Sequence, residues 1–161
     1  MKGAAAAFAF VLTGCAATTT TTAVEAPAAP IARGAGPGET VAARQAAFNL
    51  TAATFGTMRA AAESGADLKP LTFGARGLNR WAMAIPGMFP AGTNLPQSAA
   101  LPAVWSDRAG FEARAAAFQT ATAQLLAAAS ANDKPAFAAA VKATGAACGA
   151  CHSTYRAEDA H

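Results

Sequence analysis

The sequence predicts an all-α protein, folded as an antiparallel four-helix bundle with a long loop between helices 2 and 3. Alanine is abundant and only 7% of the 161 residues are aromatic, a composition that favours packed helices over sheets. Apolar residues recur every seven positions in three separate stretches, as they do on the buried face of a helix. Residues 86–102 contain four prolines and two glycines, which predict one long irregular connection.

The first 14 residues are predicted to be a signal peptide. Lys2 precedes an apolar run over residues 3–12, which is shorter than a membrane-spanning helix. The run ends in Leu-Thr-Gly-Cys, which resembles the lipobox of bacterial lipoproteins. That resemblance implies cleavage before Cys15 and lipidation of this cysteine, whereas an ordinary secretory signal would be cut later and Cys15 would be lost. Either route predicts an exported, periplasmic protein, and lipidation would also tether it to a membrane.

Residues 15–38 are predicted to form a disordered tether, and residues 39–161 a single folded domain. The tether is rich in threonine, alanine, proline and glycine and cannot bury enough apolar surface to fold. Helix 1 should run from Glu39 to about Ser64 and stop at Gly65. Its seven-residue apolar repeat consists of Val41, Phe48, Phe55 and Ala62.

Helix 2 should begin after Asp67, whose side chain can cap it, and end at Pro86. Its repeat consists of Leu71, Leu78 and Ile85. We expect the loop that follows to cross from one end of the molecule to the other, because a loop of this length otherwise argues against a compact fold.

Helix 3 should open at Trp-Ser-Asp, residues 105–107, and its repeat consists of Phe111, Phe118 and Leu125. Helix 4 should follow a turn at residues 132–135, where proline suits the first helical turn. The apolar face of helix 4 comprises Phe137, Val141, Thr144, Cys148, Cys151 and Tyr155. The two cysteines should therefore point into the bundle.

The strongest chemical signal is Cys148-x-x-Cys151-His152, a motif typical of c-type haem attachment. Its three functional residues lie on one face of a helix, so the two thiols can add to the two vinyl groups of one haem while the imidazole reaches the iron. A zinc site would need His161 as a fourth ligand, with all four crowded into a short segment. A redox-active thiol pair would need a strand before the motif, which the sequence does not predict.

The domain resembles cytochrome c′ and the other class II c-type cytochromes over about three quarters of the chain. A haem motif near the C-terminus is itself specific to that class. The matching segments are Arg44-Gln45, Phe55-Gly56-x-Met58, Trp105-Ser106-Asp107, Phe111, and Cys-x-x-Cys-His-x-x-Tyr-Arg at residues 148–156.

The resemblance implies one covalently attached haem c between the helices, with His152 as the axial iron ligand and Arg156 on the same, proximal side. Arg44, Gln45 and Phe55 are implied to line the cofactor. Phe48 matches the position that faces the sixth coordination site. Phenylalanine cannot bind iron, which favours a five-coordinate, high-spin haem with Phe48 as a gate.

This arrangement predicts a protein that binds nitric oxide or carbon monoxide and can also transfer electrons to an unknown redox partner. The apolar wall around Phe48 should offer no hydrogen-bond donor to a bound gas. The alternative is a six-coordinate, low-spin electron carrier tethered to a membrane, for which Met58 is the first ligand to test.

An enzyme such as a peroxidase is not expected, because no acid–base residue belongs to the helix face near Phe48. The class II resemblance implies a homodimer formed through the first helices. Nucleic-acid binding is not expected, since the formal net charge is only +3 and the basic residues are scattered.

Overall fold

The computed structural model describes residues 34–158. The predicted signal peptide, Cys15, residues 15–33 of the predicted tether and His161 lie outside the described residues. Within the described part, no helix is both long enough and apolar enough to cross a membrane.

The predicted bundle of four long helices is confirmed. The long helices are α1 (Pro37–Ser64), α2 (Thr72–Ala84), α4 (Arg108–Ala131) and α5 (Lys134–Tyr155), and a single turn, α3 (Ala103–Ser106), precedes α4. Two 3₁₀ turns, Lys69–Leu71 and Ile85–Met88, extend α2 at its two ends. The predicted start of the third helix at residues 105–107 therefore needs correction, because these residues divide between α3 and the cap of α4.

The helix ends follow the local chemistry of the sequence. Gly65 adopts a left-handed conformation with φ of 64°, which ends α1 where predicted. The side chains of Asp107 and Asp133 accept hydrogen bonds from the backbone N–H groups of Gly110 and Ala136, so each aspartate caps the helix that follows it.

The two short connections lie together at one end of the bundle, which we call the far end. The Leu68 amide donates to Asn132 Oδ1 over 2.9 Å, and Lys69 Nζ donates to the Ser130 carbonyl over 2.6 Å. Lys134 Nζ reaches the carbonyl of Gly65. The connection from α1 to α2 thus contacts the connection from α4 to α5, as an antiparallel arrangement requires.

The long loop does not cross the molecule, so that expectation was wrong. Arg108, at the start of α4, donates to the carbonyls of Pro86 and Phe89, at the end of α2, over 2.7 and 3.0 Å. Since α2 and α4 are antiparallel neighbours, both ends of the loop meet at the same end of the bundle. We call this the motif end, because α5 finishes there.

The loop instead folds over the motif end and is fastened to the end of α5. The Leu101 amide donates to the carbonyl of Tyr155, and the Ala157 amide donates to the carbonyl of Ala99, each over 2.9 Å. The long loop therefore covers the motif end of the bundle.

The buried residues form two clusters, one toward each end. The far-end cluster comprises Met58, Ala61, Leu68, Ala75, Leu78, Leu125, Ala128, Ala129, Phe137 and Ala140. The motif-end cluster comprises Ala82, Ile85, Phe89, Val104, Phe111, Ala115, Phe118 and Tyr155. The sequence motif of α5 lies against the second cluster.

Candidate functional site

The two cysteines of the motif face the apolar interior, as the periodicity of the sequence predicts. Cys148 and Cys151 are half-buried free thiols, and both pack against the motif-end cluster. Burial raises the pKa of each thiol above its ordinary value, and the positive charge of Arg114 opposes this rise at Cys151. Both side chains are therefore held as neutral thiols, three residues apart, against an apolar surface.

His152 is exposed overall and lines a shallow cleft at the end of α5. Partial desolvation of its imidazole lowers the pKa, and the neighbouring charge of Arg156 lowers it further. The neutral imidazole favoured by these effects is the form that can bind a metal. Among residues 34–158, no cluster of three His, Cys, Asp or Glu side chains could hold a metal ion.

Phe48 packs against the same cluster as the two cysteines, although it comes from α1. Its ring meets the ring of Trp81 edge to face, with the centroids 5.1 Å apart, and lies 6.3 Å from the ring of Phe89. The structure thus brings the predicted gate and the predicted attachment residues to one apolar region.

Arg44, one turn before Phe48, is almost completely buried, with 2% of its surface exposed. Its guanidinium donates to the Thr93 hydroxyl over 2.8 Å and to the Thr93 carbonyl over 2.9 Å. It also donates to Ser98 Oγ and to the Met88 carbonyl, over 2.6 and 3.2 Å. Burial lowers its pKa. Arg44 therefore joins α1 to the long loop, a contact that was not predicted.

Gln45, Phe55 and Arg156 also have structural partners. Gln45 Nε2 donates to the carbonyl of Gln97 in the loop over 2.9 Å. Phe55 packs beside the far-end cluster, whereas Phe48 packs at the motif end. Arg156 forms an antiparallel backbone bridge with Ala100.

Two further features of the motif end were not predicted. The Tyr155 hydroxyl donates to Asp107 Oδ2 over 2.6 Å, which joins the end of α5 to the cap of α4. The indole Nε1 of Trp81 is buried and has no hydrogen-bond partner among the described residues.

A covalently attached haem fits these residues. The chain supplies two free thiols at the spacing of the attachment motif, together with an imidazole that is favoured in its neutral form. It also supplies a buried N–H group that lacks an acceptor, which an incoming polar group could satisfy. Met58 lies in the far-end cluster with 1% of its surface exposed, which separates it from the cysteines.

Comparison with known proteins gives the same picture across the described domain. The family model for cytochrome c′ matches residues 39–156. A cytochrome c′ from Rubrivivax gelatinosus is 37% identical over 123 residues, which cover 74% of this chain and 95% of the relative. A cytochrome c-556 from Agrobacterium tumefaciens is 45% identical over 75 residues, which cover 47% of this chain and 60% of that relative.

Solved structures agree in fold and in sequence. The crystal structure of Rubrivivax gelatinosus cytochrome c′ has a TM-score of 0.70 at 36% identity and covers 75% of this chain and 97% of its own. A nitric oxide complex of a variant cytochrome c′ from Alcaligenes xylosoxidans has a TM-score of 0.72 at 34% identity, covering 78% and 100%. From the family match over residues 39–156 and from these relatives, we conclude that the chain belongs to the cytochrome c′ family.

Proposed function

We propose that this protein is a periplasmic c-type haem protein that binds nitric oxide and other small gases at a five-coordinate iron and can also transfer electrons. Proteins of the cytochrome c′ family carry a covalently attached c-type haem, and the motif of this chain supplies the residues to hold one. Nitric oxide complexes of the Alcaligenes xylosoxidans relative support the choice of gas.

The attachment roles are assigned to three residues of α5. Cys148 and Cys151 would form the two thioether bonds, since both are free and both face the apolar cluster. His152 would be the axial ligand, for which its neutral imidazole is suited. When bound, the haem would supply an iron that can take a small gas as a further ligand.

The observation that carries the proposal is the placement of Phe48 in the same apolar region as the two cysteines. Its aromatic partners there are Trp81 and Phe89, and none of the three side chains can ligate iron or act as an acid or base in peroxide cleavage. Phe48 would therefore shield the open position, and a gas would have to displace its ring. This arrangement supports gas binding over enzymatic catalysis.

Arg44, Gln45, Phe55 and Arg156 remain proposals as residues that line the cofactor. Arg44 and Gln45 support the loop that covers the motif end, so they would act on the haem region at least through that loop. Phe55 contacts the opposite cluster and is the weakest of the four.

The first test is the visible absorption spectrum of the haem-loaded protein before and after exposure to carbon monoxide and nitric oxide. A high-spin spectrum that changes with either gas is expected. A low-spin spectrum that is indifferent to both would mean an internal sixth ligand, and would replace gas binding with electron transfer alone.

The gate is tested by the rate of carbon monoxide association. Phe48→Ala should bind carbon monoxide faster than the wild type because the shielding ring is gone. Phe73→Ala is the control, since it removes the same side chain from an exposed position on α2. Equal rates in Phe48→Ala and wild type would remove Phe48 from the gate.

The attachment is tested by heating the protein in detergent and staining the denatured gel for haem. Wild type should keep its haem, and the double variant Cys148→Ser and Cys151→Ser should lose it. Retention of haem by the double variant would refute the thioether assignment.

Export and anchoring are proposed from residues outside the described structure. If Cys15 is lipidated, the protein should incorporate radiolabelled palmitate and fractionate with membranes, and Cys15→Ala should abolish the label while leaving the haem domain in the periplasm. Absence of label in the wild type would refute lipidation while leaving export intact.

Association into a homodimer is proposed through α1 and α2, which carry large exposed apolar side chains. Leu50 and Phe73 expose 70% and 87% of their surfaces. A second copy of the chain packed against α1 and α2 would cover these residues. Sedimentation should show a dimer that the double variant Leu50→Lys and Phe73→Lys dissociates, and a monomeric wild type would refute the proposal.

A further inference from the structure

Two buried side-chain polar atoms among residues 34–158 lack a hydrogen-bond partner, the indole Nε1 of Trp81 and Thr144 Oγ1, and Trp81 is the one that packs against the motif-end cluster. The Nε1 atom is buried, and residues 34–158 provide no acceptor for it. A buried donor left without a partner destabilises a folded protein, and such groups are rare. Trp105, the other tryptophan, satisfies its own N–H by donating to the carbonyl of Pro90 over 3.0 Å.

The location of Trp81 indicates where the missing acceptor enters. Trp81 packs against the motif-end cluster together with Phe48, Cys148 and Cys151. Its ring is in edge-to-face contact with Phe48, the proposed gate. The donor therefore belongs to the same apolar region that would receive the haem.

We infer that Trp81 donates a hydrogen bond to an oxygen atom that arrives with the haem. Two oxygen acceptors would come with a haem in this site: a carboxylate of the haem itself, and the oxygen atom of a gas bound at the iron. Both accept through oxygen, but the carboxylate is charged, is the stronger acceptor and would be present in every state of the loaded protein. This inference rests on the proposed function, and it differs from the expectation that the wall around Phe48 offers no hydrogen-bond donor.

The consequence differs between the two acceptors. A hydrogen bond to a haem carboxylate would stabilise its charged form and hold its pKa down. A hydrogen bond to a bound gas would draw electron density toward the gas oxygen and help the site to distinguish one diatomic ligand from another. Trp81 is a positioning residue in the first case and a specificity residue in the second.

The test compares Trp81→Phe with wild type in the haem-loaded protein, with Trp105→Phe as the matched control. Trp81→Phe keeps an aromatic ring and removes only the N–H and part of the indole. If the acceptor is a gas, the infrared stretching band of bound carbon monoxide should move to higher wavenumber in Trp81→Phe and stay in place in Trp105→Phe. If the acceptor is a carboxylate, the inflection in reduction potential against pH should move upward by about one pH unit instead.

Ultraviolet resonance Raman scattering supplies a second measurement that needs no altered protein. The indole band that reports N–H hydrogen bonding should show two bonded tryptophans in the wild-type holoprotein. A Raman band from a free indole N–H in the wild-type holoprotein would overturn the inference. So would a Trp81→Phe variant in which neither the carbon monoxide band nor the pH inflection of the reduction potential moves. The pH dependence of the reduction potential and the Raman band can both be measured without a bound gas. Failure of the proposed function would therefore be seen separately, as a visible spectrum that carbon monoxide does not change.

Discussion

Replacing Thr93 with valine should weaken the fastening between the long loop and α1. Thr93 is 2% exposed, and its hydroxyl accepts from Arg44 Nη1 over 2.8 Å while donating to the Pro90 carbonyl over 2.8 Å. Valine keeps the shape of the side chain but cannot make either hydrogen bond. The Pro90 carbonyl still accepts from Trp105 Nε1, so the principal loss falls on the buried guanidinium.

The magnitude follows from the charge and burial of Arg44. A hydrogen bond from a charged donor contributes about 1.5–3 kcal/mol, and the guanidinium keeps its contacts with Met88, Ser98 and the Thr93 carbonyl. We therefore expect Thr93→Val to lower the free energy of unfolding by about 2 kcal/mol. For a domain of this size, that loss corresponds to a decrease in Tm of about 8 °C.

The assay is thermal unfolding of the haem-loaded protein followed by circular dichroism. Thr93→Ser is the control, since it retains the hydroxyl and should stay within about 1 kcal/mol of wild type. Carbon monoxide association should also become faster in Thr93→Val. Arg44 stacks 4.3 Å from the centroid of the Phe89 ring, and the Phe89 ring lies 6.3 Å from that of Phe48. A less firmly held Arg44 should therefore let the Phe48 ring move aside more easily. A Tm for Thr93→Val equal to that of wild type would refute the reasoning, as would an equal loss in Thr93→Ser.

Three further predictions concern the helices. Met58→Ala should reduce stability by about 2–5 kcal/mol through a cavity in the far-end cluster, yet leave the visible spectrum unchanged; a spectral change would make Met58 an iron ligand after all. Gly77→Ala should raise Tm by an amount equivalent to about 0.5–1 kcal/mol, since an added Cβ there meets no atom within 4 Å, and a loss of stability would contradict the helix geometry. Gly110→Ala should lower Tm, because its Cβ would collide with Asp107 and the Tyr155 hydroxyl. An unchanged melting curve would show that these two side chains can move aside without loss of stability.

The helices and the attachment motif could be predicted from the sequence because both depend on local spacing. Gly65 and Asp133 act on backbone groups within a few residues of themselves, so their effects are visible in the chain order. The burial of Phe137 and Tyr155, and the half-burial of the two cysteines, follow from the period of α5 in the same way. These features do not depend on which elements become neighbours.

The contacts of the motif end could not be predicted, because they join residues far apart in the chain. Composition showed that residues 86–102 form a loop, but it gave no information on where the ends of that loop lie. The partners of Arg44 are up to 54 positions away, and the unpaired N–H of Trp81 becomes evident only when every neighbouring acceptor is known. Hydrogen-bond satisfaction is a property of the packed structure, and sequence periodicity does not report it.

From the division of the core into two clusters we predict an order of assembly. Residues of all four long helices build the far-end cluster, and the two short connections beside it bring sequence neighbours together at little entropic cost. We expect this half to nucleate the bundle during maturation, while the other half stays open and leaves Cys148 and Cys151 accessible for haem attachment. The long loop would then fold over the motif end last, after the haem is attached. Amide hydrogen exchange should accordingly be slowest around Phe137, in the far-end cluster.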